Sequence, residues 1–271
     1  MAITEPSDGA TLAAGQLLVR GTIEAGGVEV GVVINGIPAA VQGAAVLALV
    51  PVTVETSSLT AVATTAKGLT ATHAIAVSVA PATAFPVALN ASPSSGEVPL
   101  TVLFSLVGAS LPMQVSLDAD GDGLTDFSGA RLEQQPFTFT QPGVYVSAAT
   151  MTDAQGTRQT ARTVIQVLDR KLLDGLLQAK WSSLKDSLRR GDIPQALEQI
   201  AARARRRYGE IFTALAQDLQ GVDQILTDLF LSEIRGHEAI YEMVRTDDGI
   251  IRSFEIRFLQ DDDGIWRLWF F

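Results

Sequence analysis

The stretch "VEVGVVINGIPAAV", residues 28–41, decides how the first third of the chain has to be read. Valines alternate with Glu29 and Gly31, the period of a strand with one face buried. Asn35-Gly36 then supplies the two residues that tolerate positive φ at both central positions of a tight hairpin turn. Working outward, "LLVRGTI" (17–23), "AAVLALVPVTV" (44–54), "LTAVATTAKG" (59–68) and "HAIAVSV" (73–79) each read as a strand with roughly alternating faces. Short strands separated by turn signals at this spacing predict a β-sandwich.

Composition narrows the possibilities. Of 271 residues, 47% are hydrophobic and 18% charged, enough apolar material for packed cores in two or three domains. No apolar run reaches the eighteen or so residues of a membrane span, so no membrane insertion is expected. "MAITEPSDGA" has no basic stretch followed by an apolar one, so no secretory signal is visible; a mature form and a fragment of a longer polypeptide both stay open. There is no cysteine, which excludes disulfides, thiolate nucleophiles and cysteine-bound zinc, and the two histidines, His73 and His237, lie far apart in sequence. The net charge of −10 argues against nucleic acid as a partner. Residues 1–168 hold 5 basic and 12 acidic residues, whereas residues 169–271 hold 15 and 18. That jump in charge density near Leu168 is the sharpest boundary in the chain.

Three resemblances follow from the motifs. "ITEPSDGATL", "VRGTI", "VEVGVVINGIPAAV" and "AVATTAKG" together resemble a bacterial immunoglobulin-like domain over residues 1–82. After the connector "VAPATAFP" (79–86), residues 83–168 resemble a PKD domain, another β-sandwich. Its opening strand is "SPSSGEVPLTVLFS" (92–105), with Pro93, Gly96 and Pro99 in place. Its penultimate strand and turn are "QPGVYVSAATMTDAQG" (141–156), with Pro142, Gly143, Tyr145, Asp153 and Gly156 in place. "LDADGDG" (117–123) stands where that family carries Trp-Asp-Phe-Gly-Asp-Gly; Leu117 replaces the tryptophan and Ala119 the phenylalanine, so some aromatic core packing is expected to be lost.

From Asp169 the period changes. Leu173, Leu177, Trp181, Leu184 and Leu188 mark one face of a helix ended by Gly191. Asp192 and Gln195 are spaced as a capping box, and Leu197, Ile200, Ala204, Tyr208, Ile211, Phe212 and Leu215 continue an apolar stripe. After Gly221, "ILTDLFLSEIRG", "HEAIYEMVR", "IIRSFEIRFL" and "IWRLWFF" read as strands, with "TDDG" (246–249) and "QDDDG" (260–264) as hairpin turns. "WSSLKDSLRRGDIPQAL", "YGEIFTAL" and "DDDGIWRLWFF" resemble an NTF2-like, cystatin-like α+β domain over residues 169–271, which implies helices packed on a curved antiparallel sheet. The expected architecture is thus multidomain: two all-β immunoglobulin-like sandwiches followed by an α+β domain. "WRLWFF" running to the last residue makes the final strand an expected structural element and the terminus native.

Two groups of residues carry candidate chemistry. In "DADGDGLTDF" (118–127), Asp118, Asp120, Asp122, a carbonyl near Leu124, and Asp126 match positions one, three, five, seven and nine of a calcium loop of the EF-hand kind, with Gly123 at the sharp turn. Position twelve, a bidentate glutamate in such loops, is Gly129, and no helices flank the segment. Calcium is one reading; an acidic Asp-Gly turn whose carboxylates cap backbone amides is the other. The resemblance to NTF2-like domains implies an apolar interior pocket, for which Trp181, Tyr208, Tyr241, Trp266 and Trp269 are the candidate lining; a plain aromatic core is the alternative. "RARRR" (203–207) winds around its helix, and ion pairing with Glu198, Glu210 and the hairpin aspartates is expected. No phosphate-cradling glycine loop and no nucleophile elbow occur.

The function these readings imply is that of a non-enzymatic spacer and recognition segment of a bacterial envelope or secreted protein. It would be extracellular, at the cell surface or periplasmic, and would act on a protein or cell-surface glycan. The alternative is small-molecule binding or catalysis in the C-terminal pocket. Homo-oligomerisation through the C-terminal domain is a further expectation.

Overall fold

A computed structural model describes residues 1–82, 87–108, 114–153 and 156–271. It divides into two compact units, residues 1–65 with 69–168 and residues 66–68 with 169–271. The connector's residues 83–86, including Pro86, and Ala154-Gln155 of the second sandwich's turn motif lie outside the described residues.

The first unit holds two sandwiches. In the first, β1 (Ala2–Glu5), β3 (Gly15–Thr22), β7 (Ala45–Val52) and β6 (Ala40–Gln42) form one sheet in the order β1-β3-β7-β6. The facing sheet runs β2-β9-β8-β4-β5, with β2 (Ala10–Ala13), β9 (Thr70–Ala80), β8 (Ser58–Thr65), β4 (Val30–Ile34) and β5 (Ile37–Pro38). All pairs are antiparallel except β2 on β9. In immunoglobulin lettering the sheets are A-B-E-D and A′-G-F-C-C′, so the strand order itself gives the fold. Alternation along each strand feeds one core, built on Val19, Val32, Ile34, Val50 and Leu59. The Asn35-Gly36 turn forms as read, with φ of 47° and 83°. Asn35 then reaches sideways to β8: its Nδ2 donates to Ser58 O at 3.0 Å and its Oδ1 accepts from Thr60 N at 2.8 Å.

The second sandwich has β10 (Ala88–Ser92), β12 (Leu100–Val107) and β15 (Gln135–Phe139) in one sheet. The other runs β14 (Phe127–Gly129), β13 (Gln114–Asp118), β16 (Gly143–Thr152), β17 (Arg158–Leu168) and β11 (Ser95–Glu97), the last parallel to β17. Tyr145, at the start of β16, donates its hydroxyl to Gln141 O at 2.9 Å, a tyrosine corner, while its ring packs 4.7 Å from Phe139. Leu117 and Ala119 are fully buried in one core cluster with Phe104 and Phe139.

The second unit begins with α1 (Arg170–Arg189), whose first turn is capped by Asp169 accepting from Leu172 N at 3.0 Å. Leu173, Leu177, Trp181, Leu184 and Leu188 are its buried face, as their spacing requires. The second helical stripe is broken into α2 (Ile193–Leu197) and α3 (Arg205–Ala214), followed by the short α4 (Val222–Ile225). Asp192 caps Gln195 N at 3.1 Å, but the box is not reciprocal: Gln195 turns to Glu198 at 2.6 Å, because Asp192 N is already bonded to Ser187 O. Ile211 and Leu215 are the solvent-side end of the stripe, at 36% and 43% exposure. An antiparallel meander follows, β18 (Leu229–Arg235), β19 (Glu238–Asp247), β20 (Ile250–Gln260) and β21 (Trp266–Phe270), with register shifts at Leu231/Glu233 and Arg257/Phe258 that bend it. The free edge of β21 is covered by residues 199–201, through Ala201 N to Leu268 O at 2.8 Å and Leu268 N to Gln199 O at 2.9 Å.

Arg267 locks the last hairpin. It is 5% exposed and donates to Asp261 Oδ2 at 3.1 Å and to Asp263 Oδ1 and Oδ2 at 2.6 and 2.7 Å. Asp261 Oδ2 also accepts from Ala202 N at 2.9 Å, which ties the turn to the helical segment. Burial pushes the Asp263 carboxyl up, but the bonds from Arg267 outweigh it and hold the group below its ordinary value. The contribution of this pair is therefore present above the unfolded carboxylate range and lost as pH falls through the depressed native value. Arg267→Ala takes the guanidinium from both carboxylates and leaves them only backbone amides, and denaturant unfolding at neutral pH is expected to show a loss of about 3 kcal/mol in the transition of this unit. That loss should shrink in acid; a cost that stays constant down to the acid limit would refute the ion-pair account.

Candidate functional site: the acidic loop of the second sandwich

β13 ends at Asp118, and the next eight residues fold back to deliver Phe127 to β14. The reversal leaves backbone amides without strand partners, and the aspartates supply acceptors. Asp118 accepts from Gly121 N at 2.7 Å through Oδ1 and from Gly123 N at 3.0 Å through Oδ2. Asp126 Oδ2 accepts from Ala119 N at 2.7 Å, and Asp126 N donates to Leu117 O at 2.8 Å. Asp120 and Asp122 each cap the amide two residues on, at 3.2 and 2.7 Å, as short acidic side chains do in tight turns. Gly121 is indispensable here: at φ 78°, an added Cβ would lie 2.8 Å from Val146 O.

Carboxylate oxygens of Asp118, Asp120 and Asp126 converge to within 4.8 Å of one another. Asp122, the fourth residue of the sequence pattern, is not in this group; its carboxylate serves Leu124 N instead. Asp118 and Asp120 are half-buried and Asp126 is exposed. Burial is the largest influence on Asp120 and raises its pKa; the Asp122 amide pulls the other way, and the negative charges of Asp122, Asp126 and Asp118 add to the rise. Among the described residues no donor faces Asp120 Oδ2 or Asp126 Oδ1. Three hard oxygen donors on a turn rich in backbone carbonyls is a donor set suited to calcium and unsuited to softer metals.

The five aromatic candidates of the second unit are not brought to one place. Trp181 meets the Phe271 ring edge-on at 5.8 Å, and Tyr208 stacks on it at 4.3 Å. The Tyr208 hydroxyl donates to Phe271 O at 3.0 Å and accepts from Phe271 N at 2.9 Å, and Trp181 Nε1 donates to Thr227 O at 2.9 Å. Tyr241 packs on Phe258 and donates to Asp174 at 2.9 Å; burial first, then that bond, raises its pKa far above the usual phenol. Trp269 lies under the Arg203 guanidinium, 4.3 Å from its ring centroid, and donates to Glu238 at 3.1 Å. Trp266 is 6% exposed. Trp181, Tyr208, Tyr241 and Trp266 are buried and Trp269 is half-buried, each polar atom named here satisfied by protein. A cavity of about 170 Å³ lies elsewhere, in the first sandwich, lined by Ile23, Val28, Val30 and Leu69 among others.

The arginine tract is likewise dispersed. Arg206 pairs with Glu210 at 3.3 Å as expected, but Arg205 bonds Ile200 O, Arg203 covers Trp269, and Glu198 is taken by Gln195. Of the histidines, His73 accepts from Ile3 N through Nδ1 at 3.2 Å, and exposed His237 meets Gln260 at 2.8 Å.

No family model matches this chain, and no curated protein matches it in sequence. Solved structures match over about three fifths of it. The fibronectin(III)-like modules of Clostridium thermocellum CbhA are 14% identical at a TM-score of 0.23, over 61% of this chain and 93% of theirs. Dimeric latent PorU from Porphyromonas gingivalis is 12% identical at 0.31, over 62% and 19%. The Bacteroides ovatus mixed-linkage glucan utilization protein SGBP-B, in complex with a heptasaccharide, is 13% identical at 0.20, over 62% and 45%. Of the latter two, the chain spans less than half the length.

Sequence reasoning overlooked Ser147. Fully buried on β16, it donates Oγ to Ala119 O at 2.5 Å and pins the loop's first turn. Its signal was a lone hydroxyl at a core-facing position of "GVYVSAATM". The charge crowding on Asp120 makes a signed prediction. With its native pKa raised, its ionisation weakens the fold as pH climbs through that value. Asp120→Asn keeps the Oδ1 acceptor and removes the charge, so in chelator the melting midpoint should rise at pH 7, with the gain fading as pH drops below the carboxylate range. A variant less stable than the parent at pH 7 would overturn the charge-crowding account.

Proposed function

We propose that the chain is a non-catalytic spacer and recognition segment of a bacterial envelope or secreted protein, acting through protein or glycan contacts. The observation that carries this reading is the tandem of two sandwiches with immunoglobulin strand order. Under it, residues 1–82 are a bacterial immunoglobulin-like module, residues 83–168 a PKD-like one and residues 169–271 an NTF2-like one. The tyrosine corner at Tyr145 and the Asp-Gly-x-Trp-Arg hairpin locked by Arg267 support these assignments. No helix among the described residues is long and apolar enough to cross a membrane. The reading places the protein outside the cytoplasm, at the cell surface or in the periplasm. Phe230, Val244 and Ile251, exposed on one face of the β18–β21 sheet, offer a contact for a second copy. Arrayed polysaccharides and surface proteins should show saturable binding by the whole chain with no product released; turnover of any of them would defeat the non-catalytic reading.

Calcium in the acidic loop is the second half of this proposal, and it rests on the convergence of Asp118, Asp120 and Asp126. A cation bound only by the folded state stabilises the second sandwich by about 2.7 kcal/mol at a hundredfold excess over its Kd, and so raises its unfolding midpoint. Melts of the full chain in EDTA and in millimolar calcium should differ, magnesium should not substitute, and Asp120→Asn should abolish the difference. Identical midpoints in EDTA and calcium would leave the loop an acidic turn.

A further inference from the structure

β7 carries apolar residues on both of its faces. Val46, Ala48, Val50 and Val52 enter the first sandwich's core, so Leu47 and Leu49 point out of it, onto the outer face of the β1-β3-β7-β6 sheet. Such a leucine would ordinarily meet water. Leu47 is only 9% exposed, yet it is not part of that core, and Leu49 is half-buried. Pairing of β6 with β7 sets Ala40 opposite Leu47 and Gln42 opposite Ala45, which puts Gln42 on the same outer face.

The second sandwich has a matching surface. On β16 and β17, Ala149, Met151 and Ile165 are core residues, so Val146 and Val164, cross-strand partners, face outward. Both are half-buried and neither belongs to the core. β7 lies against β17 and β6 against β16, and Gln42 Oε1 accepts from Val144 N at 2.8 Å. Val144 lies beyond the reach of β13, which pairs with β16 only from Ala148 to Thr152, so Gln42 satisfies an amide that the sheet leaves open.

We infer that the two sandwiches are fused side to side by an apolar seam, Leu47 and Leu49 against Val146 and Val164, closed by the Gln42–Val144 bond, and that they move as one stiff body. Tethered modules with small polar contacts move independently by default; a desolvated apolar seam is what removes that freedom. The functional meaning of the stiffness rests on the spacer reading, but the seam itself does not.

The chain has no cysteine, so two introduced ones label it uniquely. Spin labels at Thr72→Cys and Ser128→Cys, exposed sites on the first and second sandwich, should give one narrow distance distribution in the full chain. Adding Leu47→Asp should broaden it while both sandwiches keep their circular dichroism, since Leu47 is outside the core. If that variant does not fold, Gln42→Ala serves in its place, because it disturbs no core; the Val144 amide should then exchange about tenfold faster, the loss of one net hydrogen bond. A broad distribution in the unaltered chain, or a Val144 amide that exchanges equally fast with and without Gln42, would overturn the seam. Detection of substrate turnover would defeat the spacer reading and leave these distances untouched, so the two failures are distinguishable.

Discussion

β16 is ten residues long and its neighbour β13 only five, so half of one edge of β16 has to be satisfied by something other than a strand. Buried or half-buried amides and carbonyls left without partners are expensive, and three groups gather along this open edge, one of which supplies the acceptor for the Val144 amide. Near the middle, the acidic loop folds down onto the strand, with Gly121 against Val146 O and Ser147 holding Ala119. Toward the start of the strand, Gln42 reaches over from the first sandwich. Before that, Tyr145 turns back to Gln141 and fixes the corner at which the strand begins. The acidic loop, the Gln42 bond and the tyrosine corner thus all meet β16 along the stretch that β13 leaves unpaired.

How much of this could be read in advance depended on range. Alternation in "VEVGVVING" and "AAVLALVPVTV" identified the strands and their inward residues, because period two is a local property. It could not say that Leu47, an outward residue by the same rule, would be covered, since its cover lies about a hundred residues away. In the acidic loop, the glycines and the convergence of Asp118, Asp120 and Asp126 were legible from spacing. Asp122 was not, because an aspartate in a turn chooses between a shared centre and the amide two residues on, and here the amide wins.

The second unit repeats the lesson with aromatics. The resemblance to NTF2-like domains made Trp181, Tyr208, Tyr241, Trp266 and Trp269 candidates for one lining, but several of them are held apart by their own partners. Phe271 gathers Trp181 and Tyr208, Asp174 claims Tyr241, and Glu238 claims Trp269. Helix α1 was plain from its repeat of leucines, whereas the break between α2 and α3 was not. Residues 199–201 leave the helical path to cover β21, a tertiary demand that overrides the apolar stripe.

In each sandwich the second strand runs parallel to the last: β2 on β9 from Ala10↔Val77 to Ala13↔Ala80, and β11 on β17 from Ser95↔Gln166 to Glu97↔Leu168. Tension along the chain pulls such a pair in opposite senses, so the strands must slide past each other and their hydrogen bonds are loaded together. An antiparallel closing pair would instead peel open one bond at a time.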